Sequence, residues 1–446
     1  MHRKDVNSFL HGFSSLSQLK EHGPQVIVKG EGIYIVDQAG NRYLEGNSGL
    51  WNAVLGFDDE QVIEAAKSQF DAISAYHTFF GRNSVPCIEL ADTLREIAPM
   101  DAGRVFFTNS GSEANDTAVK IAWMLNNARN RAGRRKIITR RNAYHGTTVM
   151  GANLTAREYN NVFGMPFGDI RVTDCPHHWR YGYAGENESA YLDRIIDNLR
   201  RLIESEGPES IAAFIAEPFM GAGGVVIPPK GYFPRVQEVL SEYEILLIAD
   251  EVITGLGRSG ELWGSQTFDI KPDIITTSKC LTAGYYPVGA VIPSRSVMHE
   301  LDAASAELDE FPHGFTTAGN PVGGAIGKVV VDKIIGSAFN NLQSVAPRFQ
   351  ERLERFKDHE FVAEVRCIGL AGALEIVSDK ETKQPFPSDL NVSDRIARQG
   401  FKEGIIVRPI GTAVVFAPPF IITEDQIDEL FDAFERTFDA VCATLG

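Results

Sequence analysis

Across 446 residues, 59 acidic side chains stand against 43 basic ones, and the net charge of −16 argues against nucleic acid or an anionic membrane as partner. Length allows about three domain-sized units; 43% hydrophobic and 23% charged residues are the ordinary balance of a globular protein. The five cysteines are widely spaced and form no CxxC, which predicts reduced thiols and a cytoplasmic location.

The N-terminus, "MHRKDVNSFLHGFSSLSQ", is basic but no long apolar segment follows it, so no signal peptide is expected. The most apolar stretch, "IAAFIAEPFMGAGGVVIPP", is broken by Glu217, glycines and prolines, so no transmembrane span is expected.

In chain order, residues 1–60 read as irregular structure with short strands. "GIYIVDQAGNRYLE" alternates on both sides of a turn and predicts a hairpin. "DEQVIEAAKSQFDAI" is an amphipathic helix. From about residue 61 to 325, helical patterns alternate with buried strands: "RVFFTN", "KIITR", "IAAFIAE", "EILLIADE" and "PDIITTSK". "SEANDTAVKIAWMLNNARN" is a helix capped by Ser110 or Ser112. Strands separated by helices predict βαβ units and a mostly parallel sheet, an α/β fold.

After 325 the texture changes. "PVGGAIGKVVVDKIIG" and "LQSVAPRFQERLERFKDHE" are long helices. "VAEVRCIGLAGALEIV" and "IIVRPIGTAVVFAPPF" are strand pairs of an antiparallel α+β layer, and "TEDQIDELFDAFERTFDAVCATLG" is a capped closing helix. The expected organisation is an N-terminal segment over 1–60 joining a smaller C-terminal α+β domain over 326–446, with a large domain over 61–325 between them.

Chemistry concentrates at strand ends. "ILLIAD" closes on Asp250 and "PDIITTSK" closes on Lys279, at the sheet edge where open α/β sheets bind ligands. A structural ion pair would explain both residues equally well. A third feature decides between the readings. "FFTNSGSEANDTA" runs from a strand through Ser110, Gly111 and Ser112 into a helix, and free N–H groups at a helix start suit a phosphate. "MGAGGVV" lacks the third glycine of a dinucleotide fingerprint and opens no clear helix. A phosphate cradle, a buried Asp and a strand-end lysine together describe a site for pyridoxal 5'-phosphate. The lysine amine condenses with an aldehyde, and the Asp keeps a pyridine nitrogen protonated. Cys280, beside the lysine, reads as a core filler.

Nearly the whole chain resembles the class III, or omega-type, pyridoxal-phosphate aminotransferases of fold type I. The resemblance is carried by "FFTNSGSEANDTA", "RNAYHGTT", "AEPFMGAGGVVIPPKGYF", "LLIADEVITGLGRSGELWG", "PDIITTSKCLTAGYYPVGAV", "FPHGFTTAGNPVGGAI" and "VRPIGTAVVFAPPF". "LWNAVLGF" and "FFGR" are similar to the amine:pyruvate and omega-amino acid:pyruvate group. The resemblance implies that Lys279 is the catalytic residue and moves the proton. It implies that Asp250 pairs with the pyridine nitrogen, and that Tyr144 and Val252 lie on the two ring faces. Ser110, Gly111 and Ser112 would hold the phosphate, and Glu217 would be a buried supporting carboxylate. Thr316 would reach the phosphate of a partner subunit, which implies a homodimer with shared sites, or a tetramer of such dimers. No metal is implied. Where the family often reads "HGFTYSGHP", this chain has Thr317, Ala318 and Asn320 in place of Tyr, Ser and His, and Cys280 replaces the usual Gly or Gln. These departures bear on substrate more than on cofactor.

An aminotransferase takes two unlike substrates in one pocket. The resemblance makes Arg408 the binder of a keto-acid carboxylate, probed first with pyruvate. In ornithine and 4-aminobutyrate transaminases a glutamate at the position of Ala222 neutralises that arginine, so the alanine disfavours those activities. Trp51, Phe79, Phe80 and Tyr144 suit a hydrophobic amine or the chain of an omega-amino acid. The alternatives are a decarboxylase or racemase on the same fold, a 2-oxoglutarate-dependent omega-amino acid transaminase, and a non-catalytic scaffold, against which Lys279 and Asp250 argue.

Overall fold

A computed structural model of the chain describes residues 1–166 and 168–445. Its largest sheet has seven strands, in the order Phe106–Thr108, Gly289–Pro293, Ile274–Thr277, Leu246–Asp250, Ile211–Ala216, Lys136–Arg140 and Ile170–Thr173. The last five run parallel, and Gly289–Pro293 pairs antiparallel with both of its neighbours. Every residue of Ile211–Ala216 and Leu246–Asp250 is buried, which explains their unbroken apolar runs: a parallel sheet is covered on both faces.

The helix Gly111–Ala128 covers one face. Ala114, Ala118 and Ala122 recur every four residues, and together with Ile121 and Leu125 they pack on Ile137, Ile215, Ile248 and Ile274. Small residues on that stripe let the helix lie close to the strands. Ser110 is its N-cap; the hydroxyl accepts from Glu113 N at 3.2 Å.

Two four-stranded sheets flank this body. One joins Ile27–Glu31, Tyr34–Asp37 and Arg42–Glu45 to Ile405–Ile406, so the N-terminal hairpin is completed by a strand from the far end of the chain. The hairpin turn is held by Asp37, whose Oδ1 accepts from the amides of Ala39 and Asn41, both at 2.9 Å. The other sheet is antiparallel: Val362–Ile368, Ala371–Ile376, Ala413–Phe416 and Arg408–Ile410. The first 60 residues hold more helix than their pattern predicts, with His2–Ser8 and Leu16–His22 preceding the strands. Neither buries a residue within the chain, so neither has the apolar stripe that marks a helix in sequence. No helix among the described residues is long and apolar enough to cross a membrane.

Candidate active site

Asp250 and Lys279 leave adjacent parallel strands at the same edge; Asp250 pairs in register with Thr276, three residues before the lysine. They form no ion pair. Asp250 is 3% exposed, and its carboxylate is already committed. His145 Nδ1 lies 2.7 Å from Oδ2, Asn115 Nδ2 donates to Oδ2 at 2.8 Å, and Val252 N donates to Oδ1 at 3.1 Å. Burial opposes the charge, but these donors and the His145 imidazole outweigh it and hold the carboxyl below its ordinary value. Asn115 is itself aimed by Thr276, which donates to its Oδ1 at 2.7 Å.

Lys279 opens a short turn immediately after the strand, with φ +34°. A lysine in that region is strained by about 1–3 kcal/mol, a strain that clusters at functional sites. Burial lowers the amine from its ordinary value, and the Asp250 and Glu217 carboxylates only partly offset this. The amine has no hydrogen-bond partner among the described residues. A lysine with this environment is more readily the neutral, nucleophilic amine than one in water.

Above this floor, the amides of Gly111 and Ser112 begin the helix without an intrahelical acceptor. Gly111 is pressed against Val252; a Cβ there would meet both valine methyls at 2.8 Å. Ser112 Oγ accepts from Thr147 N at 3.1 Å, tying the cradle to the loop that carries Tyr144. Tyr144 is half-buried, and its amide donates to Glu217 Oε1 at 3.1 Å. Burial pushes the Glu217 carboxyl up from its ordinary value, against the charge of His145.

The remaining expected residues are more scattered. Trp51 is 1% exposed at φ +69°, within 6.5 Å of Phe219, and its carbonyl accepts from the Cys280 thiol at 3.6 Å. Cys280 is thus a buried packing residue, its thiol pushed up by burial. Phe79 rests on Gly314. Phe80, at 86% exposure, leans on Phe79 and faces outward. Thr316 is exposed on the loop before the helix Pro321–Lys333, and its neighbour Thr317 donates to Asn109 Oδ1 at 3.0 Å. Asn320 caps that helix, its Oδ1 accepting from Val322 N at 2.9 Å. Ala222 lines a cavity of about 920 Å³ with Arg141, Arg157 and Tyr159. Arg408 is half-buried; burial lowers its guanidinium from the ordinary value, and Tyr144, Arg157, Glu45 and Tyr159 lie within electrostatic reach of it.

His145, Asn115 and Glu45 belong to this constellation and were not singled out from sequence. For His145 a signal existed: it follows Tyr144 in a motif already marked for the site. Nothing local marks Asn115, one helical turn inside the cradle helix, or Glu45, at the end of a hairpin strand.

The Aminotransferase class-III family matches residues 17–438, and the chain belongs to it: it is a pyridoxal-phosphate-dependent aminotransferase that moves an amino group from an amine donor to a keto acid. An aminotransferase from Vibrio fluvialis, solved in its PMP-bound form, superimposes with a TM-score of 0.98 at 47% identity, covering 99% of this chain and 98% of that one. An omega-aminotransferase from Paracoccus denitrificans gives 0.98 and 47%, over 100% and 99%. Among curated relatives, gamma aminobutyrate transaminase 2 of Solanum lycopersicum is 43% identical over 420 residues, 93% of this chain and 91% of its own. The fold-type-I reading and the omega-transaminase resemblance are therefore borne out.

The residues fit pyridoxal phosphate on this structure's own terms. A carboxylate is held ionised at the sheet edge, an amine stands just past the end of the next strand, and unpaired helix amides begin at a glycine that allows Val252 to pack directly against the helix start. His145 Nε2 is buried without a partner.

Proposed function

We propose that this enzyme moves an amino group from a hydrophobic amine or an omega-amino acid to pyruvate, by a ping-pong mechanism in one pocket. The observation that carries the reading is Arg408, a half-buried guanidinium with no hydrogen bond or ion pair among the described residues, within electrostatic reach of the Tyr144 hydroxyl. A buried unpaired cation is costly. A keto-acid carboxylate satisfies it, whereas an uncharged amine uses the apolar surface alone.

When bound, pyridoxal phosphate supplies an aldehyde to accept the amino group and a ring to withdraw electrons from the substrate carbon. Ser110, Gly111 and Ser112 would hold its phosphate, and Tyr144 and Val252 would lie on the two faces of its ring. Asp250, ionised against its burial, would keep a proton on the ring nitrogen, with the buried Glu217 as a supporting carboxylate. Lys279 would be the amine that holds the cofactor and the base that moves the proton at the substrate carbon. Trp51, Phe79 and Phe80 complete the donor wall. Phe80 and Thr316, both exposed in the single chain, support a homodimer in which each subunit completes the other's site. The five free cysteines support a reducing compartment, the cytoplasm.

A second donor is favoured by a specific observation: relatives from Solanum lycopersicum and Oryza sativa are named for gamma-aminobutyrate. Such a donor carries a carboxylate that Arg408 also suits, although Ala222 brings no acid to offset the arginine. A panel of donors, 1-phenylethylamine, beta-alanine and gamma-aminobutyrate, against pyruvate, 2-oxoglutarate and glyoxylate decides. Turnover of the arylamine with pyruvate supports the first reading. Turnover confined to 2-oxoglutarate as acceptor overturns it.

A further inference from the structure

Arg408 needs a counter-charge in those states of the enzyme that hold no substrate carboxylate. The groups acting on its guanidinium are Tyr144, Tyr159, Arg157 and Glu45, and it bears in turn on Lys279. Burial keeps both tyrosines protonated, their hydroxyls raised above the ordinary value, and Arg157 adds a second positive charge. Only Glu45 can be an anion at neutral pH.

The backbone brings Glu45 to that position. Arg42–Glu45 lies parallel to Ile405–Ile406, with Glu45 opposite Ile406, and Gly46 N donates to Ile406 O at 2.9 Å. Arg408 follows two residues later, beyond a break at Val407, where the chain crosses into the antiparallel sheet opposite Val415; it stays within electrostatic reach of Glu45. Glu45 is 6% exposed, and its Oε1 accepts from Asn47 N at 2.9 Å. The other charged groups of this sheet are engaged elsewhere: Asp37 accepts from the amides of Ala39 and Asn41, Tyr34 donates its hydroxyl to Glu429 at 2.7 Å, and Arg42 lies over the Tyr34 ring.

We propose that Glu45 is the internal counter-ion of Arg408 and tunes this site's affinity for carboxylates. This rests on the reading of Arg408 given above. With an uncharged amine in the pocket, the Glu45 carboxylate balances the guanidinium. When a substrate carboxylate takes the guanidinium, Glu45 takes up a proton from solvent and becomes neutral. No bond to carbon forms or breaks in this step; one O–H bond forms on Glu45. Burial pushes the Glu45 carboxyl up to about 7, with the Asn47 and Gly49 amides and Arg408 opposing. Neutralising Arg408 removes one of those opposing influences, so the carboxyl rises further on acceptor binding. The sign follows: carboxylate affinity is highest where Glu45 is already protonated and falls as pH rises through about 7. Glu45 is a positioning residue, acting through Arg408.

The test is calorimetric titration of the holoenzyme with propionate, which carries the carboxylate but no reactive carbonyl. Buffers of different ionisation enthalpy count the protons taken up, between about pH 6 and pH 9. Wild-type enzyme is expected to take up protons and to lose affinity by roughly three- to tenfold across that range. E45Q, which keeps an acceptor for Asn47 N, is expected to bind more tightly above neutral pH, with a flat profile and no uptake. Absence of uptake in wild type, or a wild-type pH profile in E45Q, overturns the role of Glu45. If E45Q does not fold, the wild-type proton count decides alone. Wild-type affinity in R408A overturns the assignment of Arg408 itself, a separate failure, and the inference falls with it.

Discussion

The floor of the site and its substrate wall treat charge in opposite ways. Asp250 on the floor receives hydrogen bonds from His145, Asn115 and Val252 N, all in place before any ligand arrives. Arg408 on the wall, a donor only, makes none among the described residues. A preorganised group pays no reorganisation at the moment of reaction, which is what stabilising a developing charge requires. An unpaired group is poised to discriminate, because the ligand that satisfies it is strongly favoured over one that does not. On the proposed reading, one half of the pocket serves a reaction common to all substrates and the other tells them apart.

The largest expected effect lies on the floor. Lys279→Ala is expected to lower turnover by at least about a thousandfold. Borohydride reduction of the wild-type holoenzyme should leave the cofactor on the peptide containing residue 279. An active K279A variant that traps it on another lysine removes the floor from the comparison.

Asp250→Asn leaves the size of the side chain but removes the charge. A loss of about 2.7–4 kcal/mol in transition-state stabilisation is expected from one preorganised partner, read as kcat/KM with folding checked by circular dichroism. Near-normal activity would mean that the carboxylate only serves the local hydrogen-bond network.

Arg408→Ala separates the two halves of the reaction. Single-turnover absorbance should show weaker pyruvate binding by about 1.5–3 kcal/mol, with the half-reaction of an uncharged arylamine almost intact. Equal losses in both halves would make Arg408 structural and erase the contrast between floor and wall.

The smallest effect is expected at the outward-facing Phe80. Phe80→Ala should change stability of the subunit by no more than about 0.5 kcal/mol, because the ring is 86% exposed. A rise in amine KM that appears only in the associated enzyme, followed by sedimentation alongside activity, would assign Phe80 to a wall completed by a second subunit.

The floor was legible because its parts are local. A buried strand that ends in a charge, or a strand that runs through Ser-Gly-Ser into a helix, is written in consecutive residues. Parallel pairing of Leu246–Asp250 with Ile274–Thr277 then places Asp250 and Lys279 together almost without choice. Asn320 shows the limit of local reading. As a departure from the family pattern it pointed toward substrate, and in the fold it caps a helix.

By itself, the sequence determined the α/β body, the cofactor, and the placing of Asp250 and Lys279 at the ends of buried strands, since period, strand ends and helix starts are properties of short segments. Only the tertiary structure decided that Asp250 is paired to His145 instead of Lys279, that Phe80 turns outward, and that Glu45 comes within electrostatic reach of Arg408. Those outcomes depend on which distant segments share an edge. The pairing of Arg42–Glu45 with Ile405–Ile406 joins opposite ends of the chain, and neither segment carries a mark of the other.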